Sequence, residues 1–294
     1  MAPNLLENLA QWNVQIALVA IAAAAVMHVL RIDAPVVRHA FWRLVLVTCL
    51  ALPVLQPWRS SAIDPSVARM EELDAELPTG LGAASRLSAS SPVLARVSTH
   101  IRANWRSYVG MFLAIGAILR LTWLLIGIHG LQRLRRSGER APNDDEYDEL
   151  VALIEAGAEI RRVPRLGQPV TFGVLRPAVL LPASFSALPA GVQRAVLAHE
   201  LWHVRRCDWA WVLLEEGICA LFWFNPAMWW LVSRVQSSRE EVVDELTVQL
   251  TNARKTYMEA LLAFADQPTL YPATPFARRR HLFHCMVLIS TEAA

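Results

Sequence analysis

The stretch "LFWFNPAMWW", residues 221–230, is apolar enough for a bilayer, yet Asn225-Pro226 divides it. A straight helix over 209–232 would rise about 36 Å at about 1.5 Å per residue and cross a hydrocarbon core of about 30 Å. Proline has no backbone N–H and steers the residue before it away from helical geometry, so the run should break there. The legs, 209–224 and 227–239, would then be roughly 24 Å and 20 Å long, too short to span. The stretch reads as a helical hairpin at about 209–239 that dips into the membrane and returns, leaving both flanks on one side.

Composition fits that setting. Hydrophobic residues make up 54% of the 294 and charged residues 18%, against roughly 25% charged in soluble domains. Mean hydropathy is +0.32. A net charge of +2 gives no electrostatic footprint for nucleic acid, and none is expected as a partner. Three more apolar runs, 13–30, 41–58 and 108–131, approach the length of about 20 residues that a span requires. They predict a three-span bundle over 1–131, with an external loop at about 59–107 and the lipid bilayer as a partner. Arg31, Arg38 and Arg43 crowd the first connection, and Arg133, Arg135, Arg136 and Arg140 follow the third run. Arginine gathers on the cytoplasmic side, so both ends face the cytoplasm and the N-terminus lies outside. The leader "MAPNLLENLAQW" holds Glu7 and no Lys or Arg, unlike a secretory signal. Arg120, inside the third run, should pack against protein or snorkel to the interface. Cys49, Cys207, Cys219 and Cys285 have no C-x-x-C spacing and read as free thiols.

Beyond 131 a second domain is expected over 132–265, followed by a short basic tail at 266–294. The polar stretch 136–149 reads as a mobile connection, "LVALIEAGAEI" (150–160) as helical, and 162–185 as strands and turns. Next comes His199-Glu200-Leu201-Trp202-His203. Residues i and i+4 stack on one helix face, so both imidazoles can reach one ion. Zinc accepts imidazole nitrogen and keeps a position open in catalytic sites. Glu200, beside the first ligand, is placed to act as general base. A third ligand is offered across the hairpin by "SSREEVVDELTVQL", 237–250. Glu240 would complete the set, and Asp244 could accept a hydrogen bond from a ligand imidazole. Glu241 and Glu245 repeat the same spacing one residue along, so spacing alone does not choose. At least one of Glu215 and Glu216, on the first leg, should face protein or water.

"AVLAHELWHVRRCDW", "FWFNPAMWWL" and "REEVVDEL", with "FGVLRPAVLLP" upstream, resemble the BlaR/MecR-type membrane zinc metallopeptidases of bacteria over about residues 105–262. The resemblance implies a mainly α membrane protein: a transmembrane bundle carrying an α+β gluzincin-like zinc peptidase domain with the membrane-dipping hairpin. It places the protein in the bacterial inner membrane, the active site facing the cytoplasm. It matches His199, His203 and Glu240 to the zinc ligands, Glu200 to the catalytic base and Asp244 to the supporting acid; Asp208 falls on a position with a structural role. Because the motif reads E-x-x-x-D-E, it selects Glu240 over Glu241. A protein substrate is implied, with a cytoplasmic repressor as candidate. The substrate would pair along an edge strand at Thr171, Phe172 and Gly173. Trp202, Val242 and Val243 depart from the family's smaller residues. The tail "FARRRHLFHCMVLISTEAA" holds no further span, and an extracellular penicillin-binding sensor is not expected; His281 and His284 read as incidental. The alternative is a non-catalytic membrane signalling protein that keeps the fold. A transporter fits less well, lacking paired broken helices.

Overall fold

The computed structural model describes residues 5–55, 92–141, 145–164, 166–252 and 254–255. Helix α1 covers Leu5–Leu30, α2 Pro35–Leu55 and α3 Pro92–Ser137. Their segments Glu7–Leu30, Pro35–Leu55 and Trp105–Ser137 are long and apolar enough to cross a membrane. Exposed Leu18, Ile21, Leu44, Val47, Leu119 and Ile126 suit a hydrocarbon surround. Helix α3 begins inside the stretch read as an external loop and runs unbroken through the expected boundary at 131–132. No proline lies between 93 and 137, and Pro92 opens the helix where its missing N–H costs nothing. Residues 56–58 of the second run, 59–91 of that loop and the tail at 266–294 lie outside the described residues.

A four-stranded sheet follows: β1 Glu139–Arg140, β2 Glu159–Val163, β3 Val170–Phe172 and β4 Ala178–Pro182. Its order is β1-β2-β4-β3, with β2 and β4 parallel and the outer pairings antiparallel. All of β4 is buried, as a central strand's apolar run demands. The polar stretch at 136–149 is not the mobile connection its composition suggests. It contains the end of α3, β1 and the start of α4, Asp145–Ile154. Asp145, Glu146 and Asp148 sit in the first turn of α4, where the helix dipole favours carboxylates. That helix ends before 160 because Glu155 turns to φ 55°, and Glu159 already belongs to β2. Glu159 also receives Arg135 from the end of α3 at 2.6 Å and Arg161 at 2.7 Å, which ties the third span to the sheet.

Helix α5, Ala190–Arg205, leads to α6, Asp208–Leu221, and α7, Pro226–Thr251. The break falls where the proline requires it. Asn225 caps α7 by accepting a hydrogen bond from the Met228 N–H at 3.0 Å, and Pro226 opens the first turn. The chain reverses here: Arg239 on α7 pairs with buried Glu215 on α6, and its Nε lies 3.8 Å from Asp208. Glu216 accepts from Gln236 at 3.5 Å. Thus Glu215 and Glu216 both meet protein, as their place demands. The second leg does not stop at 239 but continues through the acidic segment as one helix.

The tip of this hairpin is plugged into the bundle. Phe222 meets the edge of Trp12 at 4.7 Å, and Trp12 donates to the Cys49 carbonyl. Trp223 donates to the Leu113 carbonyl at 3.1 Å and lies over Gly116 of α3. Arg120 stacks over Trp229 at 4.4 Å, so this mid-span charge faces protein. Among the described residues no disulfide joins Cys49, Cys207 or Cys219, and Cys285 lies outside them. A methyl group added at Gly116 would overlap the Trp223 ring, whereas Gly110 has open space. Gly116→Ala should therefore lower stability by about 1–3 kcal/mol, and Gly110→Ala should not. Thermal unfolding of the two variants in detergent checks this.

Candidate metal centre

Helix α5 gives His199 and His203 one face because four residues return nearly a full turn. Their Nε2 atoms stand 3.2 Å apart. The returning helix α7 brings Glu240 Oε2 to 3.7 Å from His199 Nε2 and 3.6 Å from His203 Nε2. Among the described residues these three form the one group whose ligand atoms converge, all within 4.8 Å. Ligands at about 2.0–2.1 Å around a tetrahedral ion are roughly 3.3–3.4 Å apart. The observed separations fit that spacing with little adjustment.

The outer nitrogens are also engaged. His199 Nδ1 lies 3.3 Å from Asp244 Oδ1, and His203 Nδ1 lies 2.9 Å from Asp208 Oδ2. Each imidazole therefore has a carboxylate behind it that fixes its ring and turns Nε2 toward the shared point. Asp208 is itself held by Arg206 at 3.3 Å. Its contact with His203 gives it a definite task that sequence reading left only as structural. Geometry also distinguishes the two acidic pairs. Glu240 and Asp244 face the histidines, while Glu241 receives Arg38 at 2.8 Å and exposed Glu245 accepts from Gln249.

Charge in the cluster is strongly coupled. Burial would push the His203 imidazole down, but Glu240 and Asp208 outweigh it and lift its pKa to about 9. His199 is likewise raised, burial being overcome by Asp244 and Glu240. Glu240 is held well below the usual carboxylate range, its burial outweighed by His203 and His199. The cluster thus demands positive charge at its centre, as protons or as a metal ion. An ion must displace protons from the imidazoles, since only neutral imidazole ligates. Below the raised pKa each pH unit strengthens that competition. Apparent metal affinity should rise about ten-fold or more per unit from about pH 6 toward about pH 9, where His203 loses its proton. Competition titration with a metal indicator across that range checks it.

Glu200 points to the sheet. Thr171 Oγ1 lies 2.6 Å from Glu200 Oε2 and 3.1 Å from its carbonyl oxygen. Thr171 is thus a positioning partner of Glu200, a pairing no sequence signal announced. Phe172 is buried against Trp209, so only its backbone could meet a substrate. Strand β3 ends at Phe172, one residue short of the expected edge. Gly173 stands outside it at φ +99°, where a side chain would strike the Arg176 carbonyl, so it is a turn residue. A cavity of about 190 Å³ lies beside His203, lined in part by Thr171, Gly173, Val174 and Trp209.

The family model described as BlaR1 peptidase M56 matches residues 8–280. The chain belongs to the BlaR1 peptidase M56 family. Over 113 residues it is 34% identical to "Regulatory protein BlaR1" of Bacillus licheniformis, covering 36% of this chain and 18% of that protein. The chain therefore corresponds to a small part of the length of that relative. M56 membership and the three apolar helices together make this a membrane protein of metallopeptidase type, with a His-His-Glu cluster able to hold a metal.

Proposed function

We propose that this M56 protein is a membrane-embedded zinc metalloendopeptidase with a gluzincin-type centre: His199, His203 and Glu240 as ligands, Asp208 and Asp244 behind the imidazoles. The observation that carries this reading is the convergence of two imidazole nitrogens and one carboxylate oxygen at tetrahedral spacing, with Glu200 beside them. When bound, zinc supplies Lewis acidity, polarising a carbonyl and lowering the pKa of water. The protein's own groups do the rest. Glu200 takes the proton of the attacking water and hands it to the leaving amine. Thr171, which lines the same cavity as His203, donates to the Glu200 carboxylate and orients it. The outer edge of β3 offers backbone groups to an extended peptide.

The hairpin supports a bilayer setting. Its tip contacts Leu113 and Phe112, well inside the apolar segment of α3, while its base lies at the metal cluster. The arginines after α1 and α3 support a base on the cytoplasmic side of the inner membrane. A cytoplasmic protein is then the substrate, and the regulatory title of the Bacillus relative makes a repressor the first candidate. Metal analysis of the purified full chain, paired with substrate trapping in membranes by Glu200→Gln, tests the proposal. A chain that holds no stoichiometric metal would overturn it.

A further inference from the structure

Away from the metal cluster, a cavity of about 430 Å³ opens where α1 ends, α2 begins and α7 passes. Its volume lies within the range of about 300–1,000 Å³ typical of ligand sites. Arg31, Arg38 and Arg234 line it, with Trp42 and Trp230 forming an aromatic wall. Arg38 is committed: it donates to Glu241 at 2.8 Å and to the Ile32 and Asp33 carbonyls at 3.1 and 3.3 Å. Arg31 and Arg234 are exposed and form no ion pair among the described residues; Arg234 only stacks over Trp230 at 5.0 Å. Asp33 is the one acid of the lining that Arg38 does not neutralise through its side chain, so an excess of positive charge remains.

Two further observations point to a ligand. The cavity lies at the shared end of two apolar segments, Glu7–Leu30 and Pro35–Leu55. That is headgroup depth whichever way the chain is threaded. The positive end of the α2 dipole opens at the same place.

We infer that this cavity is a binding site for a phosphate group, with Arg31 and Arg234 as its ligands and an anionic phospholipid headgroup as the source its depth favours. Guanidinium pairs with phosphate through two parallel hydrogen bonds, and the Trp42–Trp230 wall suits the glycerol and upper acyl region. Basic recesses between spans take anionic headgroups by the same physics.

Native mass spectrometry of the full chain in detergent tests this, with dioleoyl phosphatidylglycerol, dioleoyl phosphatidylcholine or inorganic phosphate added. One phosphatidylglycerol should be retained per chain in preference to phosphatidylcholine. R31Q and R234Q should each weaken that retention about five-fold or more. R136Q removes an exposed arginine at the end of α3, away from the cavity, and should leave retention unchanged. Competition by millimolar inorganic phosphate would support the phosphate site and make free phosphate the source. Equal retention of the two lipids, or equal loss in R136Q, would overturn the site. So would undiminished phosphatidylglycerol binding in both R31Q and R234Q.

Discussion

Glu200→Gln should bind as much metal as the native chain and cleave its substrate about 10²–10⁴-fold more slowly. That range is what a positioned general base contributes. The amide is nearly the same size as the carboxylate and can still accept the Thr171 hydroxyl that now reaches Glu200 Oε2 at 2.6 Å. The fold should therefore persist, and the ligand atoms on His199, His203 and Glu240 are untouched. What disappears is the ability to take a proton. Metal content and rate must be measured on the same preparation. Undiminished cleavage by a metal-loaded variant would remove Glu200 from its role, while joint loss of metal and activity would show that Glu200 supports the centre instead.

The second large effect separates neighbours. Glu240→Gln should weaken metal binding by at least about 100-fold, beyond the roughly 10–100-fold cost of losing a supporting carboxylate. Glu241→Gln should leave metal affinity within a few-fold, because Glu241 faces Arg38 rather than the imidazoles. Both changes remove one negative charge from the same helix turn, so a general electrostatic effect would move them together. Equilibrium dialysis against a divalent ion gives the answer directly, and equal losses would count against the three-residue ligand set.

Much of this architecture was legible because a few residues have little freedom. Asn225-Pro226 could not continue a helix, and the histidine spacing admits one face only. Together these foretold a reversal that returns an acid to two imidazoles. Spacing was silent where two readings share a period: Glu240 with Asp244 and Glu241 with Glu245 differ by one residue. A resemblance chose the first pair, and in the structure Asp244 Oδ1 lies 3.3 Å from His199 Nδ1. Composition misled at 136–149, where acidic residues looked like a solvated link but serve as the first turn of α4. The extent of α3 was missed because apolarity marks a lipid-facing segment, whereas helix continuity depends on the absence of breakers. Thr171 could not have been tied to Glu200 from sequence, since the two are brought together only when an edge strand lies along α5.

Helix α7 presents Glu240 to the imidazoles on one side and Glu241 to Arg38 of α2 on another. A carboxylate about 5–6 Å from a helix axis travels about 2 Å when that helix turns by about 20°. Ligand distances tolerate only about 0.2 Å. The helix is thus tied to the spans on one side and faces the two imidazoles on the other. A turn of that size would carry Glu240 about ten times farther than a ligand set can absorb.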